Sequence, residues 1–252
     1  MVIQQQKKFK ILLIGDDCID VYQYGNVNRI SPEAPVPVFT FSHEERKPGM
    51  AGNVARNLQA LGCVVNYLHG ETSTKTRLID IRSKQQIVRI DNDIHSIPLE
   101  FLTDIPNVYD AVVISDYDKG TVSYELIEEL RSLFTGPIFV DTKKTDLARL
   151  EGCIVKINSL ENSLIKTACT DLIVTLGKHG ARYKEKTYTT ITDIEVIDVC
   201  GAGDTFLSAL AYEYLNSSNM DKAIKFANSA AEITVQHSGV YAPKLKEIKW
   251  HN

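Results

Sequence analysis

The run Asp198-Val199-Cys200-Gly201-Ala202-Gly203-Asp204-Thr205 sets three residues with little or no side chain directly before a carboxylate. Gly201, Ala202 and Gly203 let backbone N–H groups come close to a bound group. Phe206, Leu207, Leu210, Ala211, Tyr214 and Leu215 then recur at helical spacing, which puts the glycines at a helix N-terminus. Free amides and the positive end of the helix dipole make that terminus an anion site. Asp204 lies inside the same field, stays ionised and is placed to take a proton from a hydroxyl. An anion cradle beside a carboxylate base suits transfer of a phosphoryl group to an alcohol. Taken alone, the run reads equally as a Gly-rich turn followed by an ordinary first-turn acid.

The chain around this run has 252 residues, enough for a substantial core, and reads as one domain spanning 1–252. Its 44% hydrophobic and 24% charged residues are ordinary for a globular protein. A net charge of -4 with no basic block beyond Lys7-Lys8 argues against a nucleic-acid partner. Residues 11–14 are too short an apolar run for a signal peptide or membrane span. The five cysteines, Cys18, Cys63, Cys153, Cys169 and Cys200, are scattered with no CxxC pair. That pattern points to free thiols in a reducing, cytoplasmic compartment rather than a disulfide frame or zinc site.

Short apolar runs alternate with helical patterns. Strands are expected over 9–14, 64–68, 111–115, 138–140, 154–157 and 172–176, and helices over 52–61, 125–134, 202–215 and 220–237. This alternation predicts an α/β fold, a doubly wound and mainly parallel sheet with helices on both faces. Ligands of such sheets collect at the carboxyl ends of strands, where Asp16, Asp116, Asp141, Asn158 and Gly177 fall. Two stretches break the rhythm: the Pro-punctuated segment 31–41 and the alternating segment 77–91. Segments 21–47 and 74–95 are therefore expected to form either a small separate β lid over the site or two exposed hairpins on the main sheet.

Taken together the segments resemble the ribokinase-like (PfkB-type) carbohydrate kinase family, and within it the heptose 7-phosphate kinase branch. The matching text begins with Gly15-Asp16-Asp17-Cys18-Ile19-Asp20, the RISPEAPVPV run from Arg29 to Val38, and Pro48-Gly49-Met50-Ala51-Gly52-Asn53. It continues with Gln85-Gln86-Ile87-Val88-Arg89-Ile90-Asp91, Ser115-Asp116-Tyr117-Asp118-Lys119-Gly120, Asn158-Ser159-Leu160-Glu161, the GAGD run and Phe226-Ala227-Asn228-Ser229-Ala230-Ala231. The similarity follows the family's order along nearly the whole chain.

The resemblance implies an ATP-dependent, Mg²⁺-requiring kinase that places the γ-phosphate on a sugar phosphate, foremost O1 of D-glycero-D-manno-heptose 7-phosphate. In it Asp204 is the catalytic base, and Gly201, Ala202 and Gly203 are the anion hole. Asn158 and Glu161 match the element that organises Mg²⁺ through water, although an Asn-x-x-Glu pair is also a helix N-cap with its capping-box partner. Asp20, Gly49 and Asn53 match positions holding sugar hydroxyls, alongside Asp116 at a strand end. Arg77, Arg89 and Lys119 are candidates for the phosphate already on the sugar, or simply solvated surface cations. Thr175, Gly177 and Gly180 belong to the turn over the nucleotide, and Asn228 and Gly239 to its adenine and ribose pocket. Asp198 and the Cys200 carbonyl correspond to a K⁺-type cation site, with Cys200 standing where threonine is usual.

The chain departs from the family pattern in three places. It is shorter after Thr72 and after Glu161, and Met50 replaces a sugar-side glycine. Kinases of another sugar or nucleoside, and a non-catalytic nucleotide- or sugar-binding relative, are the alternative readings. No P-loop text is present, and the nucleotidyltransferase activity of some bifunctional heptose enzymes is not expected of these residues. Exposed lid edges suit pairing across a two-fold axis into a homodimer.

Overall fold

A computed structural model of the chain describes residues 8–100, 108–190 and 194–250. In chain order the elements are β1 (Lys10–Ile30), β2 (Pro37–Gly49), α1 (Met50–Ala60), β3 (Val64–Asp80), β4 (Gln86–Asn92), β5 (Ala111–Asp116), α2 (Tyr124–Leu133) and β6 (Ile138–Thr142). They continue with β7 (Ile154–Asn158), α3 (Ser159–Asn162), β8 (Leu172–Thr175), β9 (Ala181–Tyr183), β10 (Lys186–Tyr188), α4 (Ala202–Ser217) and α5 (Met220–Val235). Among the described residues the strands form one sheet of order β10-β9-β8-β7-β6-β5-β1-β3-β4, with β2 added alongside β1. Strands β3, β1, β5, β6, β7 and β8 pair in parallel, and β9 and β10 close one edge antiparallel.

Because side chains alternate across a strand, the central strands feed two separate cores. Ile11 and Leu13 of β1 and Val113 of β5 join Val54, Leu58, Phe206, Leu210 and Phe226 from α1, α4 and α5 on one face. Leu12 and Ile14 of β1 and Val112 and Ile114 of β5 join Leu126, Ile127 and Leu130 of α2 on the other. The α/β sheet with helices on both faces is thus as the alternation predicts. Burying a side chain such as Ile11 or Leu58 contributes about 1.5–3 kcal/mol each, so both cores fix the strand ends firmly.

The outer segments follow the second arrangement, two hairpins on the main sheet, with a connection between them that was not expected. β1 does not stop at Gly15-Asp16 but continues out of the core to Ile30, 21 residues in all, and β3 likewise continues to Asp80, 17 residues in all. Their outer halves stay paired in parallel from Asp17–Thr72 to Gly25–Asp80, while β2 and β4 add antiparallel at either side. Two hairpins are therefore joined side by side, and the lid is the main sheet carried onward. The chain's shortness after Thr72 is accounted for by this continuity, since β3 passes directly from floor to lid. The second shortened place leaves α3 as a single four-residue turn.

Candidate active site

α4 is the element on which the site is built. Its N-cap, Gly201, has φ 76°, a left-handed conformation that glycine adopts without steric cost, and no side chain caps the helix. By contrast α2 and α5 are capped by Ser123 and Asn219, whose side chains accept the Leu126 and Lys222 N–H groups. A Cβ on Gly201 would lie 2.7 Å from Nδ2 of Asn53, and one on Gly203 2.9 Å from Nζ of Lys156. The small residues therefore let an amide and an ammonium close on the helix tip.

Two hollows meet at this tip. One, of about 670 Å³, is lined by Ala202, Gly203 and Phe206 of α4, by Asn228, Ala231 and Val235 of α5, by Val196 and Val199, and by the turn from Thr175 through Gly177 to Gly180. The other, of about 130 Å³, is lined by Asp20, Tyr22, Gly49, Met50, Lys75, Arg77, Tyr117, Cys200, Gly201 and Asp204. Asp204 thus opens on the small hollow while the two preceding residues line the large one.

The Asp204 carboxylate is buried, with Oδ2 accepting from Asn53 Nδ2 at 2.7 Å and Oδ1 from the Tyr117 hydroxyl at 3.1 Å. Burial pushes its pKa up to about 6, reinforced by Asp141 and opposed by the Asn53 donor, Lys156 and Tyr117. It is ionised at neutral pH yet basic enough to accept a proton. Asn53 is held in turn by α1, whose Asn57 Nδ2 donates to its carbonyl oxygen at 2.8 Å. Tyr117 is fixed by its loop: Asp16 at the floor end of β1 accepts the N–H groups of Tyr117, Lys119 and Thr121.

On the lid side, Asp20 Oδ1 accepts from Arg77 Nη1 at 2.5 Å, and a Cβ on Gly49 would fall 2.5 Å from Asp20 Oδ2. Glycine at 49 therefore leaves the carboxylate its place. Arg77 also lies 5.2 Å from the centre of the Tyr22 ring. Arg89 is the register partner of Arg77 across β3 and β4, but its guanidinium holds both oxygens of exposed Asp91. Lys119 Nζ pairs with Asp93 at 2.5 Å. Neither lines the small hollow, whereas Lys75 does. Asp116 is also outside it, its carboxylate engaged by Thr142 Oγ1 at 2.6 Å and Lys144 Nζ at 3.3 Å, with burial raising its pKa.

On the large hollow, Thr175, Gly177, Gly180 and Asn228 come together as the sequence implies. Gly180 has φ 85°, and a Cβ there would meet the Tyr188 carbonyl oxygen at 1.9 Å, while Asn228 Nδ2 donates to that same oxygen at 2.8 Å. Gly239 does not join them. It lies near Lys47 and Tyr22, and its N–H donates to Asp198 Oδ2 at 2.9 Å. Asp198 Oδ1 accepts the Cys200 N–H at 2.9 Å, so this carboxylate ties the run before α4 to residue 239.

Asn158 and Glu161 form a complete capping box: Asn158 Oδ1 accepts the Glu161 N–H at 2.9 Å, and Glu161 Oε2 the Asn158 N–H at 2.7 Å. Glu161 Oε1 pairs with Lys143. Lys156, which the motif reading passed over, is buried on β7 and donates to Asp141 Oδ2 at 2.7 Å beside Gly203. Its signal in the sequence is a lone lysine between Val155 and Ile157 of an apolar strand. Among the described residues no three His, Cys, Asp or Glu side chains form a direct metal cage.

Comparison with known proteins finds sequence and fold relatives of this chain. Residues 136–247 match the pfkB family carbohydrate kinase profile. The chain is 35% identical over 302 aligned residues to the bifunctional protein HldE of a Nitratiruptor species, covering 96% of this chain and 64% of that protein. It is 32% identical to the protein of the same name from a strain of Helicobacter pylori, covering 95% of this chain and 65% of that one. It therefore spans somewhat under two thirds of the length of these curated relatives. The fold resembles Arabidopsis thaliana ribokinase complexed with ribose and ATP, with TM-score 0.71 and 15% identity over 96% of this chain and 98% of that one. It is similarly close to Escherichia coli phosphofructokinase-2 in complex with potassium, with TM-score 0.71 and 14% identity over 96% of each chain.

Proposed function

We propose, from the premise that this chain belongs to the pfkB family of carbohydrate kinases, that it transfers the γ-phosphate of ATP to a hydroxyl of a phosphorylated heptose, foremost O1 of D-glycero-D-manno-heptose 7-phosphate. The observation that carries the reading is the division of labour at the α4 tip, with Asp204 on one hollow and Ala202 and Gly203 on the other. The large hollow fits ATP: its apolar walls from Val196, Val199, Phe206, Ala231 and Val235 suit a base, and the uncapped helix end suits phosphates. The small hollow receives the sugar, with Asp20 accepting its hydroxyls and Arg77 and Lys75 facing its phosphate. Asp204 takes the proton of the attacking hydroxyl, the α4 amides and Lys156 balance the charge on the moving phosphoryl group, and ADP leaves.

Mg²⁺ fits as an ion that keeps most of its water and is held largely by the phosphates. Asn158 and Glu161 would hold it through water, with Lys143 giving up Glu161 Oε1, and it would neutralise phosphate charge. A monovalent cation would be held by the lone pairs that Asp198 has left, since each of its oxygens accepts one backbone N–H group. Exposed Ile30, Phe41 and Ile90 support pairing of two copies through the lid. No helix among the described residues is long and apolar enough to cross a membrane.

The test is ADP release with MgATP across a panel of acceptors. Heptose 7-phosphate should give the highest kcat/KM, and preference for an unphosphorylated sugar or a nucleoside would overturn the acceptor assignment.

A further inference from the structure

The Tyr117 hydroxyl donates to Oδ1 of Asp204, and both residues line the small hollow. Asn53 cannot yield, since it is fully buried and fastened to Asn57. Tyr117 can: it is half-buried, its bond to Oδ1 is the longer at 3.1 Å, and it lines the small hollow itself. The loop that carries it is clamped by three N–H donations to Asp16, so the hydroxyl returns to the same place when displaced. A tethered hydroxyl outcompetes bulk water for one acceptor atom, because its loss of freedom was met on folding.

We propose that Tyr117 latches the base against water, so that nucleotide cleavage waits for an acceptor hydroxyl that fits well enough to displace it. The proposal rests on the phosphoryl-transfer reading above and makes Tyr117 a positioning residue. With the acceptor in place, its oxygen bonds to the γ-phosphorus, its proton passes to Asp204, and the bridging P–O bond breaks with its electron pair leaving on ADP. With Oδ1 open and no acceptor, water follows the same course and yields ADP and phosphate. The latch suppresses that leak.

Tyr117→Phe removes the hydroxyl and keeps the ring. Acceptor-free ADP release should rise by about tenfold or more relative to acceptor-dependent release, the factor expected for losing one hydrogen bond to a charged group. A second readout needs no nucleotide: carboxyl NMR titration of Asp204 should move upward in the variant, because a donor to the ionised form is gone. The other groups facing Asp204, namely Asp141 and Lys156 from β6 and β7, Lys143, and Asp20 across the hollow, are the same in both proteins. Asp16→Asn, which weakens the backbone clamp on the loop and leaves the Tyr117 side chain unchanged, should show the same leak to a smaller degree. A hydrolysis-to-transfer ratio equal to wild type in both variants, or an unmoved Asp204 titration in Tyr117→Phe, would overturn the latch. If the variants leak but the wild-type protein phosphorylates no sugar, the latch stands and the acceptor assignment falls.

Discussion

Replacing Asp204 by Asn should remove catalysis and at the same time make the protein more stable at neutral pH. The burial that raises the Asp204 pKa from 3.8 to about 6 means that the folded state holds this proton more tightly than the unfolded chain does. For a carboxyl whose folded pKa is raised, stability is greatest below the unfolded value and declines as pH climbs from 3.8 through 6. Above that window the ionised group costs the fold its full amount. A shift of about two units corresponds to about 3 kcal/mol. Asn carries no charge, so Asp204→Asn should recover up to about 3 kcal/mol at pH 8, less whatever its amide loses against Asn53. For a chain of this length that is a rise in Tm of roughly 6 °C. Near pH 4 the two proteins should melt together. Calorimetric melts at several pH values, paired with ADP-release assays, read both effects, and turnover should fall by about 10²–10⁴. A variant that melts lower than wild type at pH 8, or that keeps its turnover, would refute the picture of a buried base held at a cost to stability.

Two other perturbations bear on the same site. Lys156→Met strands the buried Asp141 carboxylate, so it should destabilise the fold by about 3–5 kcal/mol in urea titration and weaken ATP binding, whereas the double change with Asp141→Leu should regain most of the stability. Met50 sits at φ 46°, is buried outside both apolar cores and lines the small hollow, so Met50→Gly should relax a strain of about 1 kcal/mol and widen that hollow. The ratio of kcat/KM for a bulkier over a smaller acceptor should then rise.

Reading the sequence located the uncapped tip of α4 because its signal is local: small residues, an acid and a helical period lie within one stretch. The central strands were legible for the same reason, each being a short apolar run of the right length. The lid was not, because period-two alternation says where a strand lies but not whether it is broken. Asp16 reads as a strand end, yet it, Asp17 and Asp20 are all buried inside β1, where loop amides, Tyr67 and Thr72, and Arg77 donate to their carboxylates. Those partners are 50 or more residues away in sequence, and no local pattern reports them. Asn158 and Glu161 show the opposite case, in which one spacing carried a helix cap and an ion site, and the cap is realised in full. Lys119 and Arg89 were chosen by charge alone; their carboxylate neighbours Asp93 and Asp91, equally visible in the sequence, took them instead.

The unbroken course of β1 has a mechanical consequence. A cover hung on a flexible joint swings independently of what lies beneath it, but here cover and floor are one ribbon, held to β3 along most of its length. The pairing with β3 slips between Gly15 and Asp17, and that with β2 between Tyr24 and Gly25, and flexure of the ribbon concentrates at such irregularities. Bending at the inner one would tilt Asp20 and Arg77 as a unit toward α4. Seizing the sugar and aiming its hydroxyl at the base would then be a single stroke rather than two successive events.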